Sequence, residues 1–381
     1  MARGRVYRKD NRWAFRVDAG VHPDTGKRRQ LGRQGFDTKR AAEAALTEAI
    51  SEVSRGMAVS RSSITVGEYL QEWIEIARPS LRPTTARGYE QSIGRLTARI
   101  GRVRLQALTP MQVQRCYNEL LESGGRGGRE LAPKTVRHAH VVLRKALGDA
   151  ERLGVVSRNA AAAARPPTGE HTEMATWSSE ALRDFLDAIV GHQYEIAFRL
   201  LAASGLRRGE VLGLRWRDVD FDLGQIAVAN TITELGSEVV MGPPKTARSR
   251  RNVYLDRRTM TALRDHRKRQ REQRIAAGPA WDGDHDWVVT NELGGFVSPG
   301  NVSYEFRKLV EQLDLPRIRL HDLRHTHATL ALKAGVHPKV VSERLGHATV
   351  GITLDLYSHV VPSLAKDAAE QIMSATYGDE S

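Results

Sequence analysis

The apolar pattern of this chain changes character twice, and no single architecture can absorb all three stretches. Near the start it alternates. Trp13, Phe15 and Val17 take turns with Ala14 and Arg16, the period of two expected of a half-buried strand. Pro23-Asp24-Thr25-Gly26 supplies turn chemistry, and Lys27 to Leu31 starts a returning strand. Asp37-Thr38 then caps a helix whose apolar face is Ala41, Ala42, Ala45, Leu46 and Ile50. From residue 64 the period is helical. Thr65-Val66-Gly67-Glu68 and Thr109-Pro110-Met111-Gln112 are capping boxes, Thr85 to Ile100 is a second helix, and Pro133 opens a fourth that runs to about Arg152. Gly124 to Gly128 reads as a flexible loop. After residue 170, helices (Leu182 to Ile189, Glu195 to Ala203, Thr259 to Arg274) are interrupted by short strands at Ile226 to Ile232, Val239-Val240 and Val253 to Leu255.

The breaks between these stretches, 51–63 and Ala160 to Pro167, are built of small and polar residues and read as linkers. The fold expected is multidomain and mainly α with small β-sheets. It comprises a sheet-plus-helix module over 1–57, a helical bundle over 64–165, and a mixed α+β domain over 172–381 that ends in a tail.

Charge separates the same stretches. Residues 1–60 hold 13 Lys/Arg against 7 Asp/Glu, residues 61–168 hold 18 against 9, and residues 169–381 hold 27 against 29. The whole excess of +13 therefore lies in the first 168 residues, the asymmetry of a portion that grips a polyanion. A small sheet with arginines outside fits a DNA-binding module in preference to a protein-docking one. Its one cysteine, Cys116, excludes a disulfide framework and a cysteine-based zinc cluster. MARGRVYRKD is basic but has no apolar run after it, and no stretch of about 18 apolar residues occurs. The expectation is a soluble, intracellular protein with no membrane partner. The run Arg267-Lys268-Arg269-Gln270-Arg271 reads as a solvated helix face in preference to a nucleic-acid patch.

Three short stretches carry chemistry: Ser204-Gly205-Leu206-Arg207-Arg208-Gly209-Glu210, Leu320-His321-Asp322-Leu323-Arg324-His325-Thr326, and Leu345-Gly346-His347 with Tyr357 ten residues on. Guanidinium groups match the non-bridging oxygens of a phosphodiester in bidentate geometry with a permanent charge. Two of them can offset the charge of a pentacoordinate transition state without a metal. A tyrosine hydroxyl becomes a covalent nucleophile when a base accepts its proton. His321 and Arg324, three apart, share one face if helical. His321 and His325 at i, i+4 mimic a two-histidine zinc helix, but Asp322 stands where that motif needs Glu, and Arg324 lies beside the would-be metal.

With Pro244-Lys245-Thr246 ahead of Ser249-Arg250-Arg251, these stretches resemble, in order and spacing, the tyrosine recombinases of the phage-integrase type over residues 172–365. The resemblance implies that Tyr357 attacks the scissile phosphate to give a 3′-phosphotyrosyl bond. It implies that Arg207 and Arg324 clamp the non-bridging oxygens and that Lys245 protonates the leaving 5′ oxygen. It further implies that His321 serves as base for the tyrosine, that His347 hydrogen-bonds the phosphate, and that no cofactor or metal takes part. Glu210 is then a structural partner of Arg207, and His325, His327 and His359 are structural. Residues 1–57 resemble the family's arm-binding domain, and 64–165 its helical core-binding domain, which closes with the catalytic domain as a clamp on DNA. The implied partners are double-stranded DNA at core and arm sites, three further copies in a tetramer exchanging strands through a Holliday junction, and accessory bending or excision factors. The implied place of action is the cytoplasm and nucleoid of a bacterial host. The amphipathic segment 364–376 either packs on a neighbouring protomer or covers its own domain. A type IB topoisomerase and a catalytically silent DNA-binding regulator are the competing readings.

Overall fold

The computed structural model describes residues 4–21, 28–54, 63–169, 175–236, 238–244, 250–283, 285–347, 349–351 and 353–354. The turn Pro23–Gly26, Lys245, Tyr357, His359 and the segment 364–376 lie outside them. The chain divides into two compact units, Met1–His171 and Thr172–Ser381.

The first unit begins with an antiparallel sheet in the order β1 (Gly4–Lys9), β2 (Arg12–Val21), β3 (Arg28–Phe36). The β1–β2 turn is two residues long. Asp10 and Asn11 both have positive φ (50° and 61°), and side chains of their type tolerate that region. Phe15 and Val17 are buried and Arg16 is exposed, as the alternation predicts, although Ala14 is buried too, next to a bulge at Trp13/Ala14. Helix α1 (Lys39–Ser54), with Thr38 Oγ1 accepting from the Ala41 N–H, packs on β2.

Four helices follow: α2 (Val66–Ala77), α3 (Pro83–Ile100), α4 (Pro110–Ser123) and α5 (Pro133–Arg152). Both capping boxes are formed, Thr65 with Glu68 and Thr109 with Gln112. The shared core includes Leu70, Ile74, Leu96, Leu120, Leu143 and Leu147. Polar groups inside it are paired: Tyr69 Oη donates to the Ala146 carbonyl at 2.9 Å, and Tyr117 Oη lies 3.0 Å from His140 Nδ1. The alanine run expected to be a linker is part of this core. Ala160 to Ala162 form a 3₁₀ turn capped by Asn159, and Ala160, Ala161 and Ala164 are buried against the helices. Gly124 to Gly128 is held by hydrogen bonds from the Gly125 N–H to the Arg129 carbonyl and from the Gly128 N–H to the Gly125 carbonyl, where a flexible loop was expected.

In the second unit, α6 (Ser179–Ala188), α7 (Glu195–Ser204), α10 (Pro299–Gln312) and α11 (Asp322–Lys333) enclose an aromatic core of Trp177, Phe185, Phe198 and Phe306. Helix α7 is buried along almost its whole length, so it is the spine of the unit. The short helix α8 (Arg208–Leu212) follows it directly. The β segment forms two sheets: β4 (Val219–Asp220), β5 (Gln225–Ala227) and β8 (Asn252–Tyr254) in one, and the hairpin β6 (Thr231–Leu235) with β7 (Glu238–Gly242) in the other. The expected strand Ile226 to Ile232 is thus broken. β8 offers pairing only as far as Arg251, whose carbonyl accepts from the Val228 N–H, and beyond that point the chain pairs with β7 instead. Helix α9 (Arg257–Ala277) follows β8, and α12 (Pro338–Leu345) packs on α11 through Ala328, Leu332, Val341 and Leu345. No helix of the described residues is long and apolar enough to cross a membrane.

Candidate active site

Two glycine turns set the geometry of the site. Helix α7 ends at Gly205 (φ +65°) and α12 ends at Gly346 (φ +66°), a left-handed conformation that costs glycine little and other residues more. At Gly205 the space is closed as well, because an added Cβ would lie 2.7 Å from His327 Cδ2 and would collide with Leu345. The turns therefore sit side by side, and each offers its carbonyl to an arginine from elsewhere. Arg324, in the first turn of α11, donates to the Gly205 carbonyl at 2.6 Å and to the Leu345 carbonyl at 2.7 Å. Arg207, the N-cap of α8, donates to the Gly346 carbonyl at 3.3 Å. Residues more than a hundred positions apart in sequence are stitched together this way.

Glu210 holds the other side of Arg207. Its Oε2 accepts from the Arg207 backbone N–H and its Oε1 from Arg207 Nη1, both at 2.9 Å. The same carboxylate takes Arg251 Nη2 at 3.1 Å and Nη1 at 3.4 Å, while Arg251 Nε donates to the Arg344 carbonyl at 2.7 Å. Burial would raise the Glu210 carboxyl, but the hydrogen bonds and charges of Arg251 and Arg207 more than offset it and hold the group below its ordinary value. Sequence reasoning read Glu210 correctly as the partner of Arg207 and assigned nothing to Arg251. The available signal was the place of Arg251 at the end of Ser249-Arg250-Arg251, just before an alternating strand.

The two expected clamp residues differ in exposure. Arg324 is 4 % exposed, whereas the Arg207 side chain is 41 % exposed. Burial, with Arg207 and Arg251 nearby, pushes the Arg324 guanidinium down to about 9, which leaves it charged at neutral pH. A guanidinium has five donors. The two bonds of Arg324 to turn carbonyls therefore leave it donors for an anion. Three guanidiniums and one carboxylate give this corner a local excess of positive charge.

His321 precedes α11 as its N-cap residue, with its ring edge-on to His325 at 5.4 Å between centroids. Burial first, then the charges of His325 and Arg324, push its imidazole down to about 4, so it is neutral at neutral pH and able to accept a proton. His347 follows Gly346, with Nδ1 2.8 Å from Thr353 Oγ1. Burial and the charges of Arg324 and Arg207 also push it down to about 4. His327 has both ring nitrogens engaged: Nδ1 donates to the Ala202 carbonyl at 2.9 Å and Nε2 accepts from Arg344 Nε at 3.2 Å. It acts as a brace between α7 and α12. Asp322 is turned away toward Arg319, with hydrogen bonds of 2.8–3.0 Å, and so is not placed to serve as the base of a zinc helix.

Of the six expected catalytic residues, Arg207, His321, Arg324 and His347 come together, and Lys245 and Tyr357 lie outside the described residues. No group of three or more His, Cys, Asp or Glu side chains that could hold a metal ion occurs among the described residues.

Comparison with known proteins gives three matches to families. Residues 178–363 match the phage integrase family, residues 5–53 the arm DNA-binding domain, and residues 65–121 the phage integrase N-terminal SAM-like domain. A tyrosine recombinase XerC-like protein of Caldanaerobacter subterraneus subsp. tengcongensis is 30% identical over 98% of this chain and 99% of its own length. Among solved structures, the Tn1549 transposon integrase in complex with circular intermediate DNA shares the fold with a TM-score of 0.69 at 21% identity, covering 81% of this chain and 99% of that one. A lambda integrase tetramer bound to a Holliday junction matches with a TM-score of 0.58 at 17% identity, over 92% of this chain and 94% of that one.

Proposed function

Since the chain belongs to the tyrosine recombinase family and is a site-specific DNA recombinase of the phage or mobile-element integrase type, we propose that it cuts and rejoins duplex DNA through the residues gathered around the two glycine turns. Tyr357 Oη attacks the scissile phosphorus and His321 takes its proton. A 3′-phosphotyrosyl bond forms as the bond to the 5′ oxygen breaks, and Lys245 gives that oxygen its proton. Arg207 and Arg324 hold the two non-bridging oxygens, where charge grows in the transition state, and His347 donates a third hydrogen bond to the same phosphate. Attack by the freed 5′-hydroxyl of a partner strand reverses the sequence. The phosphodiester energy is kept in the protein–DNA bond, so no nucleotide cofactor is consumed.

One observation carries this reading. Two guanidiniums from different helices are locked to the carbonyls of the two glycine turns, Arg324 to Gly205 and Leu345 and Arg207 to Gly346, beside two neutral imidazoles, with a single carboxylate to balance them. Such preorganised charge suits a phosphate oxyanion.

Residues 1–57 hold arm-type sites in this reading, and residues 64–165 together with the catalytic domain, 172–381, hold the core site. Four copies assemble on two sites, as the lambda integrase tetramer does on its Holliday junction. The protein works on the nucleoid in the bacterial cytoplasm, with accessory bending or excision factors.

A nicked suicide duplex carrying the core site tests the chemistry. A covalent protein–DNA adduct is expected to form in EDTA without ATP and to vanish in Tyr357→Phe. An adduct from the Phe variant, or a requirement for Mg²⁺, would overturn it.

A further inference from the structure

Helix α9 carries a charge that the catalytic cluster does not use. It holds eight Lys/Arg against two Asp/Glu, a net +6 within 21 residues, while residues 169–381 as a whole sum to −2. The remainder of that stretch is therefore at −8, and the basic surface of the second unit is concentrated on one helix.

A solvated helix usually spaces opposite charges three or four apart so that they pair. Asp265 and Glu272 stand three or four positions from Lys268 and Arg269, yet among the described residues the one ion pair that a cation of α9 makes within 4 Å is Arg269 with Glu195 at 3.6 Å. Lys268, Arg271 and Arg274 are exposed, and no carboxylate lies within 4 Å of any of them among the described residues. The nearby Asp220 is engaged elsewhere, accepting from the backbone N–H groups of Asp222 and Leu223.

Two more cations are fixed in place. Arg267 lies over the Trp216 ring at 5.3 Å and the Phe221 ring at 5.6 Å, and Arg264 lies over Phe221 at 5.2 Å while donating to the Phe221 carbonyl at 3.0 Å. Stacking uses the flat face of a guanidinium and leaves its N–H edges for a partner. Trp216 is anchored in turn through Nε1 to Gln270 Oε1 at 2.6 Å. The helix thus presents cations that are partly preorganised, which lowers the entropy cost of using them.

Position separates this surface from the cleavage chemistry. Helix α9 starts six residues after Arg251, at the catalytic end of α7, and Arg269 meets Glu195 at the other end of α7. From Arg257 to Arg271 the helix rises about 20 Å at 1.5 Å per residue. Its exposed basic end is therefore remote from Arg207 and Arg324.

We propose that the outward face of α9, formed by Lys268, Arg271 and Arg274 beside the stacked Arg264 and Arg267, binds the phosphate backbone of duplex DNA that flanks the core site. A helix that docks on protein carries apolar anchors at i, i+3, i+4 and i+7. In the exposed last turns of α9 the one large apolar residue is Ile275. Cations without apolar anchors suit a regular phosphate array, which is bound by charge and counterion release. The proposal rests on the reading that the chain acts on duplex DNA.

The test compares the full chain with the triple variant Lys268→Gln, Arg271→Gln, Arg274→Gln on a bare core-site duplex and on the same site with long flanks. On the flanked duplex, the slope of log K against log salt should become shallower by roughly 2–3 in the variant, at about 0.9 for each phosphate no longer neutralised. Affinity for the bare core duplex and adduct formation on it should not change. An unchanged slope on the flanked duplex overturns the proposal. So does an equal change on the bare duplex, which would put α9 in the core interface, and so does an equal loss of affinity for polyglutamate, which would mark a site for acidic polypeptide. Normal adduct formation in each of these cases leaves the catalytic reading standing.

Discussion

Arg251 and Glu210, 41 positions apart, meet in a two-pronged ion pair with both side chains under a tenth exposed. Glu210 also fixes Arg207, so Arg251 is the counter-charge that lets a buried carboxylate orient the arginine proposed to clamp the phosphate. An unpaired buried charge costs about 3–5 kcal/mol, and because Glu210 keeps Arg207 when Arg251 is lost, that range is the upper bound here. Arg251→Met is expected to lose stability up to that bound in denaturant unfolding, and adduct formation should fall with it. Adding Glu210→Gln should recover part of the stability and none of the activity, because Arg207 then has nothing charged to hold it.

What was legible in the sequence was what local chemistry decides. The capping boxes at Thr65 and Thr109 and the span of α5 from Pro133 to Arg152 depend on residues within a few positions of each other. What tertiary packing decides was not legible. Ala160 to Ala164 has a linker's composition, yet Ala160, Ala161 and Ala164 are buried against helices that precede them by many residues. The strand expected from Ile226 to Ile232 breaks where its partner runs out. In the site, the arginines, histidines and Glu210 were readable as motifs. The pairing of Arg251 with Glu210, and the stacking that turns a charged helix into an ordered array, depend on residues far apart in the chain.

Arg207 and Arg324 should be separable from DNA binding. In the proposed mechanism each contributes preorganised donors to an oxyanion, an effect worth about 10²–10³ in rate for one group. Arg207→Lys and Arg324→Lys keep the charge but lose the planar fork. Single-turnover adduct formation is expected to drop by roughly that factor in each, with gel-shift affinity for the core duplex nearly unchanged. An affinity loss as large as the rate loss would make these residues binding groups only.

The buried Gly205 should resist substitution. A non-glycine residue at φ +65° costs about 1–3 kcal/mol, and here the new Cβ would also press on His327 and Leu345. Gly205→Ala should therefore lower thermal stability. It should also slow adduct formation, because the carbonyl of this residue receives Arg324. A variant at full activity would show that the turn does not position the arginine.

The histidines give stability a defined direction with pH. His321, His327 and His347 titrate at about 4 in the folded chain, against about 6.5 when unfolded. Between those values the unfolded chain binds protons that the folded chain refuses. Stability is therefore full above about pH 7 and is lost as pH falls toward 4. Melting temperature should decline by at least several degrees from pH 7 to 5 and stay level from 7.5 to 8.5. On binding a core duplex, His321 and His347 should titrate higher, since a phosphate anion favours the imidazolium. His327, engaged at both nitrogens, should move least, and histidine NMR titrations with and without DNA read all three.

Salt should act on grip before chemistry. Residues 1–168 carry +15, so their hold on a polyanion involves many released counterions and must weaken steeply as salt rises. The groups proposed to act on the phosphate are different. Arg324 is almost fully buried and Arg207 is tied to Glu210, and a desolvated pair is screened far less than an exposed one. Equilibrium binding to the core duplex is therefore expected to fall by orders of magnitude between 50 and 200 mM salt if six or more phosphates are neutralised. The cleavage rate of complex already formed at saturating protein should change little across the same series. If the two fall in parallel, the phosphate clamp is as exposed as the grip, and the buried setting of Arg324 does not survive DNA binding.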